Sequence, residues 1–253
     1  MVLQPSFVLV RPEFEGNMGS VARVMKNFAF TDLRLVNPNQ NHLGSEAHVM
    51  ACDAVDVLKN AKLFASLEEA VEDANIVLAT SSGRYRSRDL DDLQDALPKL
   101  ELCLENNKLA VVLGNERNGL LDNELALCSM KVRIESSEIY PALNLASAAG
   151  ILAYEISLLM GKEHKQSQEV SKTTALPLLG EVDEFFVLMD EVLGLANFSR
   201  AYNKEKISLE LRQVYQRMNP TMRENNLMKA ALLKISKSLT VNAQVEDKRG
   251  NQF

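Results

Sequence analysis

Short apolar runs rich in Val, Ile and Leu recur along the chain, at 7–10, 33–36, 63–65, 76–79, 109–113 and 132–134. Segments with apolar residues at helical spacing lie between them, among them 21–28, 67–71 and 121–127. Strands alternating with helices predict an α/β fold, a mostly parallel sheet covered by helices on both faces. In such a sheet ligands sit at the carboxyl ends of the strands. The polar oddities fall there: "RPEFEGNMGS" after the first run, "TSSGRYRSR" after the fourth, "GNERNGL" after the fifth and "ESSEIYPALN" after the sixth. Four unusual loops at one end of a sheet mark a site more strongly than any one of them.

The pattern then changes. Residues 145–160 read as a helix that is apolar almost all round, and so buried. Its first half holds Ala146, Ser147, Ala148, Ala149, Gly150 and Ala153. Such small side chains suit an ordinary core helix, or a seam where another backbone comes close. The polar stretch "GKEHKQSQEVSKTTALPL" lacks a period and reads as a linker. Beyond it, 180–196, 205–218 and 221–239 show helical spacing, with Pro220 ending one helix and starting the next. The expected organisation is an α/β domain over 1–162, a linker over 163–179, a small helical domain over 180–240 and a flexible tail over 241–253.

A net charge of -6 argues mildly against a nucleic-acid partner, but the charge is segregated. Residues 181–195 hold five acids and no base, whereas 196–240 hold nine Lys or Arg against three Glu. The C-terminal segment turns basic, and a local patch is what phosphate contacts need. Cys52, Cys103 and Cys128 show no C-x-x-C spacing, which predicts reduced, buried thiols in a cytoplasmic protein. The three histidines have no zinc spacing, so no metal is expected. No run approaches the roughly 18 apolar residues of a membrane span, and the first residues lack the basic start of a signal peptide. The sequon at Asn197 is a chance match in a cytoplasmic chain.

The stretch "VVLGNERNGLLDNEL" is strand, glycine loop and helix start. That order belongs to nucleotide sites, where backbone N–H groups face a ligand. It is neither G-x-G-x-x-G nor a P-loop. Other residues carry two readings each. Asn17 stands before a helix and suits a cap. Arg23 is an exposed helical arginine or a functional one. Thr80, Ser81 and Ser82 are a plain turn or a ligand-binding strand end. Arg84, Arg86 and Arg88 surround Tyr85, an arrangement that suits phosphates and a stacked base, or are balanced by Asp89, Asp91 and Asp92. Asn144 caps the helix at Leu145 by its position.

Three of these loops together resemble the SpoU-type branch of the SPOUT RNA 2'-O-ribose methyltransferases. "GNMGSVARVMKN" is similar to that family's first motif through Asn17, Gly19 and Arg23. "GNERNGL" is similar to the second through Gly114, Glu116, Gly119 and Leu120. "YPALNLASAAGILAYE" is similar to the third through Pro141, Leu143, Asn144, Ala148, Tyr154 and Glu155. The match covers about residues 5–160, and the basic helical tail resembles the C-terminal domain of the TrmJ group, which methylates ribose 32 of the tRNA anticodon loop. Two positions depart from the pattern. Ala142 stands where many relatives carry Ser, and Asn115 where the TrmJ group often has Arg.

The resemblance implies a trefoil-knotted SPOUT domain, a homodimer and S-adenosyl-L-methionine as methyl donor. It places the donor on Thr80, Ser81, Ser82, Gly114, Ile134, Ala142 and Leu143. Because their cluster directly follows a donor-binding strand end, Arg84, Arg86 and Arg88 are expected to contact tRNA, together with the basic helical domain. The resemblance implies catalytic roles for Arg23, Asn17, Glu116 and Asn144. A guanidinium has no acceptor and a pKa above about 12, so Arg23 suits a phosphate contact and charge stabilisation at the 2'-oxygen better than a base. Glu116 suits backbone N–H groups of neighbouring loops, and Asn144 the substrate or the Glu116 loop. The same chemistry on rRNA or another tRNA position, and a non-catalytic RNA-binding module, are the competing expectations.

Overall fold

The computed structural model describes residues 3–81, 90–137, 139–166, 175–198 and 204–250, with side chains except at 162–166 and 241–250. The chain forms two compact units, Met1–Thr173 and Thr174–Phe253. In the first, the strands are β1 (Ser6–Val10), β2 (Asp32–Val36), β3 (Lys62–Phe64), β4 (Ile76–Thr80), β5 (Asp91–Asp92), β6 (Leu109–Leu113) and β7 (Met130–Arg133). The helices are α1 (Glu15–Asn27), α2 (Ser45–Ala51), α3 (Val55–Lys59), α4 (Leu67–Val71), α5 (Leu93–Cys103), α6 (Asp122–Ala126) and α7 (Leu145–Gln166). The second unit holds α8 (Leu179–Leu195), α9 (Lys204–Met218) and α10 (Met222–Gly250).

All strands pair in parallel, in the order β3-β2-β1-β6-β4-β7-β5. Every residue of β1 and β6 is buried. Because successive side chains point to opposite faces, both faces of the centre must be covered, as continuous apolar runs require. The α/β expectation holds. Two pieces escaped the apolar pattern. The edge strand β5 is two aspartates, and α5 carries Pro98 in its interior, normally a breaker. The expected linker and tail are shorter than read. Helix α7 continues to Gln166 and α10 to Gly250, because neither stretch contains a proline and each is mostly composed of tolerable helix formers.

Helix α1 crosses α2 closely at Gly19. A Cβ there would collide with the Ala47 carbonyl oxygen. The first motif's glycine is thus a packing requirement of this unit. Only Cys128 of the three cysteines is buried; Cys103 is partly covered and Cys52 exposed, against the expectation of buried thiols. Burial pushes the Cys128 thiol up to about 12, leaving it inert. Among the described residues no helix is long and apolar enough to cross a membrane.

The amino ends of the strands are tied by ions. Arg34 on β2 is 3% exposed and donates to Asp32, to Asp73 (2.6 Å) and to the Ala70 carbonyl. Lys108, just before β6, also pairs with Asp73. Burial alone would raise the Asp73 carboxyl, but hydrogen bonds from Arg34 and Lys108 outweigh it and hold it well below the usual range. The second unit has a small core of its own. Phe185, Phe186 and Tyr215 pack with Val182, Met189, Leu211, Met228 and Leu232, and the Tyr215 hydroxyl donates to Asn225 Oδ1 at 2.8 Å.

A depressed folded pKa means stability that is present above the unfolded carboxyl's value near 3.9 and lost as pH falls. Asp73→Asn is therefore expected to cost about 1–2 kcal/mol at pH 7, discounted for the half-exposed carboxylate. The deficit should shrink progressively below about pH 4. Urea unfolding at pH 7, 5 and 3 checks this; a deficit unchanged at pH 3 would assign the loss to packing.

Candidate active site

Strands β6, β4 and β7 are neighbours, and their carboxyl ends bring the expected donor residues together. Gly114 follows β6, Thr80 ends β4, Ser81 follows it and Ile134 follows β7. Ser81 donates its N–H to the Val132 carbonyl at 3.0 Å, which closes β4 onto β7. Ala142 and Leu143 lie in the connection from β7 to α7, with Leu143 39% exposed. Ser82, Arg84, Arg86 and Arg88 lie outside the described residues.

The loop after β6 is organised by Asn115, which is buried. Its Oδ1 accepts the N–H groups of Arg117 (2.9 Å) and Asn118 (3.1 Å), and its carbonyl accepts that of Gly119 (2.8 Å). Its Nδ2 donates to the Arg11 carbonyl (2.8 Å) and to Glu13 (3.1 Å). The turn closes so tightly that a Cβ on Gly114 would lie 2.5 Å from the Gly119 and Leu120 backbone. The expectation that this loop turns its N–H groups to a ligand is corrected for these three: they are spent on Asn115. These three donors are not available to an anion.

Glu116 reaches across to the loop after β1. Its carboxylate accepts the Glu13 N–H (2.9 Å) and the Asn17 Nδ2–H (2.9 Å). Asn17 Oδ1 in turn accepts from Asn144 Nδ2 (3.0 Å), and Asn144 Oδ1 accepts the Ala146 N–H (2.9 Å). A carboxylate at one end and a backbone donor at the other fix both amides in one orientation. Asn144 caps α7 and touches Asn17, not Glu116 directly. Asn17 does not cap α1: it lies inside the first turn, where Phe14 is the cap residue.

Arg23 is not part of this chain of hydrogen bonds. It sits six residues further along α1, exposed, and donates to Cys52 Sγ at 3.4 Å. A thiol is a weak acceptor, so most of the five guanidinium donors stay uncommitted among the described residues. Tyr154 and Glu155 of the third motif join elements instead: Tyr154 meets Phe28 edge-on at 6.2 Å, and Glu155 accepts from Gln94.

Sequence reasoning missed four residues that hold these loops. Arg11, in the left-handed region at φ 50°, pairs with Glu124 and approaches the Gly119 carbonyl (3.4 Å). Glu13 pairs with Arg117 (2.5 Å), and Asn115 pins the turn. Glu124 also accepts the Leu121 N–H (2.7 Å), a capping-box spacing readable in "LDNEL". Its ion pair with a residue 113 positions away was not readable. Of the acids expected to balance the arginine cluster, Asp89 lies outside the described residues, Asp91 pairs with Lys99 (2.8 Å) and Asp92 pairs with Arg133 (2.7 Å).

A parallel α/β domain with three loops fastened together at the carboxyl ends of its strands defines a ligand-binding edge of the doubly wound kind. The model of the SpoU rRNA Methylase family matches residues 4–154, and the chain belongs to that family. It is 33% identical over 235 residues to the tRNA (cytidine/uridine-2'-O-)-methyltransferase TrmJ of Pectobacterium atrosepticum, covering 91% of this chain and 96% of that one. The crystal structure of TrmJ from Z. mobilis ZM4 superposes with a TM-score of 0.77 at 24% identity, over 92% of this chain and 99% of that one. The SpoU methyltransferase AviRb from Streptomyces viridochromogenes, solved in complex with the cofactor AdoMet, shares the fold with a TM-score of 0.51 at 19% identity, over 63% of this chain and 61% of that one.

Asn17→Asp is isosteric but sets a carboxylate against Glu116. It is expected to destabilise the first unit by about 1–3 kcal/mol at pH 7, the scale of losing a part-buried hydrogen bond to a charged group. Part should return as pH falls from 7, because protonating either carboxyl removes the repulsion. Urea melts from pH 7 downward check the direction; a deficit constant with pH would mean the two side chains do not meet.

Proposed function

We propose that the protein transfers a methyl group from S-adenosyl-L-methionine to a ribose 2'-hydroxyl of tRNA, at nucleotide 32 of the anticodon loop. It works as a homodimer in the cytoplasm, with the α/β domain knotted as a trefoil. The observation that carries this reading is the hydrogen-bonded chain Glu116–Asn17–Asn144, which joins one residue from each of the three motifs. The relatives' tRNA activity and the basic helical unit support the substrate. The family model's rRNA description favours an rRNA ribose as the second reading. Exposed Tyr154 and Leu158 on α7 offer a surface for the second subunit, and three cysteines without C-x-x-C spacing suit a reducing compartment.

The donor would supply an electrophilic methyl group on a cationic sulfonium. Thr80, Ser81, Ser82, Gly114, Ile134, Ala142 and Leu143 would hold it. The fit is chemical: with three of its N–H groups spent inward, the loop suits a cationic donor better than a phosphate, which would need those groups free. Glu116, Asn17 and Asn144 keep the loops in register. Arg23, with most of its donors uncommitted among the described residues, binds the phosphate beside the target ribose and stabilises negative charge growing on the 2'-oxygen. Arg84, Arg86 and Arg88 contact tRNA, a role supported by the engagement of Asp91 and Asp92 with other bases.

Incubation with labelled donor and total tRNA, followed by mapping of the methylated ribose, tests the reaction. Arg23→Ala is expected to lower turnover at least about a hundredfold, the scale of losing a positioned charge stabiliser, with donor affinity little changed. Near-normal methylation by this variant would remove Arg23 from the catalytic role.

A further inference from the structure

The second unit sums to nearly zero formal charge, eleven Lys and Arg against ten Asp and Glu over 174–253, but its acids and bases are segregated and are not used alike. Its carboxylates are largely committed within the unit. Asp183 pairs with Arg212 (2.7 Å) and Glu184 with Lys229 (2.6 Å). Asp190 accepts from Ser208 (3.2 Å) and Glu191 from Ser236 (3.0 Å). Glu181 and Glu224 accept the N–H groups of Leu178 and Thr221. By contrast, Lys204, Arg217, Arg223, Lys234 and Lys237 are exposed and make no ion pair among the described residues, and the last three lie on α10.

These three bases share one face of α10. At about 100° per residue, Lys234 lies about 20° and Lys237 about 40° from Arg223 around the helix, and the row is about 21 Å long. The opposite face is occupied: Met228 and Leu232 pack on the Phe185 cluster, and Asn225 and Ser236 are buried. Between the bases the outer face carries Asn226, Ala230 and an isolated Leu227, 70% exposed. A helix that lies on a membrane needs its apolar face free, and here that face is taken by α8.

We propose that the outward face of α10, through Arg223, Lys234 and Lys237, is a phosphate-tracking surface for the RNA substrate. This rests on the tRNA reading above and goes further by assigning the contact to one helix face. Charge complementarity selects the occupant: a narrow cationic row with polar and small residues between its charges fits a sugar–phosphate backbone and reads no bases.

The test compares full-length wild type with two triple variants, Arg223→Gln/Lys234→Gln/Lys237→Gln on α10 and Lys204→Gln/Lys206→Gln/Arg217→Gln on α9. Binding to total tRNA is measured from low to physiological salt, and donor affinity and thermal melting without RNA. The α10 variant should lose about tenfold or more in tRNA affinity at physiological salt, and its log–log salt slope should flatten by about two to three units. Its donor affinity and melting should match wild type, and the α9 variant should change less. An unaltered slope and affinity in the α10 variant, while wild type methylates tRNA, would overturn the surface and leave the reaction standing. A larger loss in the α9 variant would also overturn it. A wild type that neither binds nor methylates tRNA would overturn the substrate reading and the surface with it. Sedimentation of wild type but not the α10 variant with phosphatidylserine vesicles, without tRNA binding, would replace RNA by a lipid surface.

Discussion

The side-chain amide of Asn17 has one nitrogen and one oxygen, and each is held by a residue about a hundred or more positions away in sequence. The nitrogen donates to Glu116, 99 positions on, and the oxygen accepts from Asn144, 127 positions on. Neither contact tolerates a flip, because a carboxylate bounds the chain on one side and a backbone N–H on the other. The geometry exists because β6 pairs directly with β1, which sets the loop after one beside the loop after the other. Arg11, Glu13 and Asn115 reinforce the same junction. Loosening it would free three loops at once.

The two ends of the sheet are built from different chemistry. The amino ends carry the ionic knot of Arg34, Asp32, Asp73 and Lys108, in which a buried guanidinium meets carboxylates that stay ionised at neutral pH. Breaking such a set strands a buried charge, so it holds the strands in place without offering anything to a ligand. The carboxyl ends combine ion pairs with a largely neutral amide network. Amides position loops without imposing a strong field, which leaves the local field to be set by Arg23 and by whatever binds.

An acidic protein can present a basic surface when pairing within the fold is uneven. In the helical unit the acids of α8 meet bases and hydroxyls of α9 and α10, so cations are left over on the outside of both helices, three of them in a row on α10. Over a Debye length of about 8 Å at physiological salt, a local row of charge outweighs the total for the chain.

The sequence by itself determined the order of strands and helices, the loops that matter and the cap at Asn144, because apolar periodicity and helix capping are local properties. Gly114, Glu116, Asn17 and Asn144 were marked through their resemblance to the family's three motifs. The sequence misread Asn17 as a cap, passed over the paired aspartates of β5 and stopped α10 too early, since edge strands carry no apolar signal and helix ends lack sharp ones. The tertiary structure alone decided the partners. Nothing in "GNERNGL" reveals that Asn115 consumes three N–H groups of its own loop, nor that Arg11 reaches Glu124. Those contacts depend on β1 and β6 lying side by side, a pairing between distant segments that no local pattern encodes. The same holds for the arginines and lysines of α10: their spacing was legible, but which of them stay unpaired was settled only when α8 packed against the other face.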